Sequence, residues 1–334
     1  MMSRVATARV YAQDTPFARE VRTGLAQEQK SIPCTWLYDR RGSELFEEIT
    51  QLPEYYPTRS ELSLLRDHLS QFGRDFGKHA SVLEIGAGAS RKTRLLLAAL
   101  RAPYAYLSVD ISEEFLYEAL QELQSEFPEV RCTPLVLDFT EPRALSKIGQ
   151  RLPAEGPRLG FFPGSTIGNL EPEEAGRLLG QLGSVLGEEG ALLLGVDSTC
   201  DPKVLLPAYD DARGVTAAFN LNLLVRVNRE LEGDFRLENF RHEARFDEQH
   251  SRVEMHLVSL LPQRVSVLGR TYLFEAGESI HTENSHKFSR AQFLQIAATA
   301  GWSEGAIWTH PDSGFEVHVL RRLRAHPPLP IKRK

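Results

Sequence analysis

The chain has 334 residues, 42% of them hydrophobic and 25% charged, with a net charge of −6. That is ordinary globular composition, enough for one large domain or two smaller ones, and its acidic balance argues against a nucleic-acid partner. Three scattered cysteines (Cys34, Cys132, Cys200) without a CxxC, no apolar run near the ~20 residues of a membrane span, and no apolar signal segment at the start all favour a reducing, cytoplasmic setting without membrane contact.

The tyrosine-rich stretch "YDRRGSELFEEITQLPEYYPTR" (38–59) precedes any core strand, and it reads either as packing or as a lid over a small polar ligand. Residues 60–77 carry a helical stripe of Leu62, Leu64, Leu65, Leu69 and Phe72. Strands and helices then alternate: "SVLEIGAG", the helix "RKTRLLLAALR", "YAYLSVDIS", the helix "EEFLYEALQELQSEF", "CTPLVLDFT", "RLGFFPGSTIGNL", the helix "EPEEAGRLLGQLGSVLG" and "GALLLGVDS". This order predicts an α/β fold with a parallel sheet covered on both faces.

From about Cys200 the regularity breaks. The second half of "YDDARGVTAAFNLNLLVRVNREL" is helical, and "RHEARFDE", "SRVEMHLVSLLP" and "QRVSVLGRTYLF" alternate as antiparallel strands do. A helix from Ser289 to Gly301 and a terminal strand pair close the pattern. The expected division is a sheet domain of residues 63–197 plus 287–324, a second α+β lobe of 15–62 plus 198–286, and a flexible tail at 325–334.

Ligands on such sheets sit outside the carboxyl ends of the strands. Gly86 and Gly88 arrive there with a helix N-terminus behind them, as do Asp110, the pair Asp138 and Phe139, and the loop "PGSTIGNL". An acid at the Asp110 position suits a ribose diol, and an acid beside an aromatic ring suits adenine. The full G-x-G-x-x-G phosphate fingerprint is missing, because Ala89, Ser90 and Arg91 follow Gly88. That favours a sulfonium nucleoside, S-adenosylmethionine, over a dinucleotide.

Five long motifs, "YDRRGSELFEEITQLPEYYPTR", "EIGAGASRKT", "FFPGSTIGNL", "AYDDARGVTAAFNLNLL" and "HTENSHKFS", resemble the histidine-specific methyltransferases of ergothioneine biosynthesis over residues 15 to 322. The resemblance implies a Rossmann-like class I methyltransferase sheet with a second substrate-binding lobe. It implies trimethylation of the α-amino group of L-histidine to hercynine, with S-adenosylmethionine released as S-adenosylhomocysteine and no metal. It also assigns roles. Asn169 holds the substrate amine through its side-chain oxygen and Tyr55 binds near the same amine, so these two are the catalytic candidates. Tyr209 binds the carboxylate, Glu283 and Ser285 the imidazole, and Met255 and Gly164 line the same pocket. Tyr38 and Phe46 are lid residues, and with Gly86, Lys92, Asp110, Asp138 and Phe139 they form the cofactor set.

These roles have a physical logic. Aromatic faces attract the sulfonium and trimethylammonium cations. Methyl transfer is an in-line displacement that needs positioning at ~3–3.5 Å more than acid–base power. A neutral imidazole offers one donor and one acceptor nitrogen, which Glu283 and Ser285 can meet, whereas an indole or phenol does not present that pair and leaves one partner unserved at ~1–3 kcal/mol.

Plainer readings stand beside them. Tyr55 and Tyr56 are equally good as core anchors, Lys92 as a solvated helix residue, Met255 as core, and Asp210 and Asp211 as solvated or capping acids. His281, Glu283 and His286 match no standard metal spacing. Rival functions are N-methylation of tryptophan or tyrosine, a non-catalytic S-adenosylmethionine sensor, and, last, a nicotinamide dehydrogenase. A monomer is expected, since no exposed heptad is legible.

Overall fold

The computed structural model describes residues 15–323 apart from 77, 142, 143, 154 and 155. The expected tail at 325–334 and residue 324 of the expected sheet domain lie outside the described residues.

The chain begins with α1 (Pro16–Leu25), the two-residue β1 (Lys30–Ser31), α2 (Arg40–Ile49) and α3 (Tyr56–Phe76). The apolar runs that end in glycine or aspartate then become strands alternating with helices: β2 (Ser81–Ile85), α4 (Arg91–Ala99), β3 (Ala105–Asp110), α5 (Glu113–Glu126), β4 (Arg131–Val136), α6 (Ala144–Arg151), β5 (Arg158–Phe162), α7 (Pro172–Leu186) and β6 (Ala191–Asp197). After them come α8 (Pro202–Tyr209), α9 (Val215–Glu230), β7 (Phe240–Asp247), β8 (Arg252–Ser259), β9 (Gln263–Val267), β10 (Arg270–Phe274) and β11 (Ser279–His286). The last elements are α10 (Arg290–Thr299), β12 (Trp302–Thr309) and β13 (Phe315–Arg322).

The main sheet has the order β12-β13-β6-β5-β2-β3-β4. The pairs β6-β5, β5-β2, β2-β3 and β3-β4 are parallel, while β12-β13 and β13-β6 are antiparallel. Strand alternation sends Val82, Leu159 and Leu193 to one face, where α3, α4 and α5 pack through Leu65, Leu96 and Leu116. It sends Leu83, Phe162 and Leu194 to the other, against α6, α7 and α10 through Ile148, Leu179 and Phe293. The order reverses at β2, whose neighbours are β5 and β3, so the loops after β2 and β5 part there and open a crevice.

A second sheet, β1-β11-β8-β7, carries its own apolar cluster. That cluster joins residues from the first part of the chain (Phe17, Leu37, Leu45) to later ones (Phe219, Leu223, Leu257, Ile280).

Three details differ from the sequence pattern. The stretch 263–274, read as one strand, is the hairpin β9-β10, because Leu268 and Gly269 both take positive φ (51° and 74°), the geometry of a two-residue reversal. The polar "SIHTENSH" is a strand, β11, lying between β1 and β8, where neighbours supply the ladder and override its composition. The aromatic stretch before α3 holds a regular helix, α2, capped by the Asp39 carboxylate accepting from the Gly42 amide at 2.8 Å.

Candidate active site

A cavity of about 240 Å³ opens at the carboxyl end of the parallel strands, roofed by α2 and the second sheet. Every candidate named from the sequence lines it: Tyr38, Phe46, Tyr55, Gly86, Lys92, Asp110, Asp138, Phe139, Gly164, Asn169, Tyr209, Met255, Glu283 and Ser285.

One side is built by the loops after β2, β3 and β4. Gly86 and Gly88 take φ of 69° and 51°, and a Cβ at Gly88 would meet nothing within 4 Å, so backbone conformation rather than protein crowding makes glycine fit there. Asp110, at the end of β3, accepts from the Gly88 amide at 3.3 Å and the Ser112 amide at 2.9 Å. Burial pushes its carboxyl above the ordinary value, against the pull of those amides. Asp138 gives one oxygen to Thr140, amide and hydroxyl, which leaves its other oxygen for the cavity. Phe139 meets Phe162 edge to face at 5.7 Å. Lys92 is no solvated helix residue: its ammonium lies 2.5 Å from Glu61, a carboxylate that also accepts from the Gly164 amide at 2.8 Å. This set fits an adenosine-bearing cofactor, with two strand-end acids presenting oxygens and open space beside a positive-φ glycine.

The other side is built by the turn at 166–169 and by β11. Gly168 packs so closely on β11 that a Cβ would lie 2.8 Å from the His286 carbonyl oxygen. That approach lets the Asn169 amide donate to Glu283 Oε1 at 2.8 Å. Glu283 faces Met255 across the β11-β8 ladder, which explains how a core strand residue also lines the pocket. Its carboxyl is raised to about 7 by burial, with Asn169 and Lys287 pulling the other way. The Ser285 hydroxyl lies 2.7 Å from that of Tyr209. Tyr209 ends α8, where the His242 ring donates to its carbonyl at 2.8 Å.

Aromatic rings link the two sides. Tyr38 meets Phe46 at 5.6 Å and Phe219 at 5.5 Å, Phe46 meets Tyr55 at 6.2 Å, and Tyr55 meets Tyr209 at 6.2 Å. Burial raises the Tyr38 and Tyr55 hydroxyls well above their ordinary range, so both stay protonated. Tyr56 points elsewhere, donating to Asp197 at 2.6 Å. Asp211 caps α9, accepting from the Val215 and Thr216 amides.

Three polar residues escaped the sequence reading. Lys287, buried, donates to Asp197, Tyr209 and Ser285. Asp197 closes β6, and Glu61 holds Lys92. A signal existed for Lys287: in "ENSHK" it shares the alternate positions of Glu283 and Ser285. His281 is engaged with Asn284, and among the described residues no group of three or more His, Cys, Asp or Glu is placed to hold a metal.

The family described as histidine-specific methyltransferase, SAM-dependent, matches residues 17–322. A histidine N-alpha-methyltransferase of Mycolicibacterium smegmatis is 41% identical over 91% of this chain and 94% of its own length. The protein of the same name from Mycobacterium tuberculosis is 38% identical over the same shares. The ergothioneine biosynthesis protein 1 of Neurospora crassa is 32% identical over 88% of this chain and 33% of its own length. The chain belongs to the histidine-specific, S-adenosylmethionine-dependent methyltransferases.

Proposed function

We propose that this protein methylates the α-amino group of L-histidine three times, giving hercynine for ergothioneine biosynthesis. The observation that carries the reading is the Asn169–Glu283 hydrogen bond. With its NH2 committed to Glu283, Asn169 turns its oxygen to the cavity, where it can accept an N–H of the substrate amine and aim the lone pair. Glu283, which the Tyr38 hydroxyl also meets, can accept an imidazole N–H, and Ser285 serves the other ring nitrogen. Tyr209 takes the carboxylate, Tyr55 lies near the amine, and Met255 and Gly164 shape the wall.

S-Adenosylmethionine, when bound, supplies an electrophilic methyl group on a sulfonium centre. Asp110 would hold its ribose, Asp138 and Phe139 its adenine, and Gly86 and Lys92 complete that side. Tyr38 and Phe46 cover both ligands and exclude water. Asn169 is no base, and the buried tyrosines stay protonated, so the amine proton leaves through hydroxyl or water lone pairs rather than to a phenolate.

Residues 63–197 with 287–324 form the methyltransferase domain and 15–62 with 198–286 the substrate-binding lobe and lid, with Asn169 and Gly164 reaching the amino acid from the first and Tyr38 and Phe46 reaching the cofactor from the second. The proposed setting is a reducing cytoplasm, which the free cysteines at 34, 132 and 200 suit, and the proposed state is a monomer. The test is stoichiometry: S-adenosylhomocysteine formed per histidine consumed by the purified protein. Three is expected. A ratio of one would remove the trimethylation, and no turnover would remove the histidine reading.

A further inference from the structure

The most deeply buried charges at the site belong to residues with no role so far. The Lys287 and Asp197 side chains are both 0% exposed, with Nζ and Oδ2 2.9 Å apart. A buried pair of this kind is weak support for stability in itself, since desolvation offsets much of the attraction. Its placement suggests another use. Lys287 does not line the cavity but lies behind two residues that do, with its ammonium on the Tyr209 and Ser285 hydroxyls.

An ammonium group has three protons to donate and no lone pair to accept with. All three are used: toward Asp197 at 2.9 Å, the Tyr209 hydroxyl at 2.8 Å and the Ser285 hydroxyl at 3.0 Å. Both hydroxyl oxygens therefore accept from Lys287, and neither can point its own proton back at it. Asp197 keeps the ammonium charged and still. It accepts from Tyr56 and from the Thr199 amide as well, so its own position is set from three directions. Burial alone would discharge this lysine, yet Asp197 holds its pKa above the ordinary value.

The two hydroxyls lie 2.7 Å apart and share one proton between them. One more proton remains for the cavity. If a ligand replaces the mutual bond, both become available.

We propose that Lys287 is a positioning residue that polarises Tyr209 and Ser285 into hydrogen-bond donors, so that the site selects an amino acid carrying two acceptors, a carboxylate and an unprotonated ring nitrogen. This rests on the histidine reading above and deepens it. Glu283 supplies the acceptor for the substrate's donor, and the Lys287 hub supplies the donors for its acceptors. Histamine, which lacks the carboxylate, forfeits one of the two.

The test uses two variants of the full chain. Lys287→Gln keeps a donor for Asp197 but offers the hydroxyls an acceptor, so their protons can turn away from the cavity. Lys287→Met with Asp197→Asn removes both charges and leaves no buried ion unpaired. Each is expected to raise KM for histidine roughly tenfold or more, as the loss of a hydrogen bond to a charged or polar partner does. The preference for histidine over histamine should shrink by a similar factor. Affinity for S-adenosylmethionine, measured by titration calorimetry, should stay within about twofold, because the cofactor side is untouched.

An unchanged histidine KM in either folded variant would overturn the proposal. So would a loss of cofactor affinity as large as the rise in KM, which is the mark of a merely structural role. Should the double variant not fold, Lys287→Gln alone decides. Wild-type turnover of histidine reports separately on the reading beneath: its absence would overturn that reading, whereas a variant equal to an active wild type would overturn only the hub.

Discussion

Asn169 and Glu283 lie 114 positions apart in the chain, yet their side chains meet at 2.8 Å, amide nitrogen to carboxylate oxygen. This contact joins the turn after β5 to β11 of the second sheet, at the point where the substrate amine is expected. It also fixes which end of the Asn169 amide faces the cavity.

Asn169→Ala removes both the acceptor for the amine and a donor to Glu283. The expected loss in kcat/KM for histidine is roughly ten- to a hundredfold, from hydrogen bonds to charged groups worth about 1.5–3 kcal/mol. Steady-state kinetics check this, with KM for S-adenosylmethionine expected to move little. A cofactor KM that rises as far as the histidine KM would contradict the assignment.

Glu283→Gln offers one carbonyl oxygen where the wild type offers two carboxylate oxygens. Whichever way the new amide turns, its NH2 faces the Asn169 NH2 or the imidazole N–H, donor to donor, so KM for histidine should rise about tenfold. Its pH behaviour is also specific. The wild-type carboxyl, raised to about 7 by burial, is ionised above that pH and protonated below it. The imidazole's own titration is common to both proteins. The wild-type advantage in kcat/KM should therefore shrink as pH falls from about 8 to about 6, and a ratio flat across that range would count against it.

Glu84 gives a stability prediction of known sign. Burial raises its carboxyl from 4.5 to about 8, against donation by Thr93 at 2.6 Å and Tyr106 at 2.5 Å. A folded-state pKa above the unfolded one means the native state holds the extra proton, so the stability this group contributes is full below about 4.5 and is lost as pH rises through about 8. Glu84→Gln keeps an acceptor for both donors and has no proton to lose. Urea midpoints at several pH values should show the variant gaining on wild type between about pH 5 and 8. A constant difference would contradict the shift.

The cover over the site should open readily. Helix α2 is tied across to α5 and α4 by exposed pairs, Arg40 with Glu114 and Glu118, and Arg91 with Glu47. Such pairs contribute little and are screened by salt. Leu45 and Ile49 hold α2 on the second lobe's core, so the motion expected is opening across these pairs, and protease should cut within residues 38–59 faster in the free protein than when both ligands are present. Equal cleavage in the two states would remove the lid from the account.

Much of this was legible in the sequence, for identifiable reasons. Parallel strands buried on both faces must be nearly continuous apolar runs, so β2, β3, β5 and β6 announce themselves, as do the capping residues Glu171 and Ser289. The β11 strand does not, because the polar side chains that furnish the site erase its apolar signature. Lys287 was hidden for a related reason. A lone lysine defaults to solvent, and only its partner Asp197, 90 positions earlier, makes its burial tolerable. The Lys92–Glu61 pair is a contact of the same long-range kind. The hairpin at Leu268–Gly269 lacked the Asn-Gly or Asp-Gly that usually marks such a turn.

The most direct measurement is a competition. The purified protein is incubated with S-adenosylmethionine and an equimolar mixture of histidine, tryptophan and tyrosine, and the products are read by mass. A gain of three methyl groups on histidine alone is expected. Methylation of tryptophan or tyrosine in preference to histidine would contradict it.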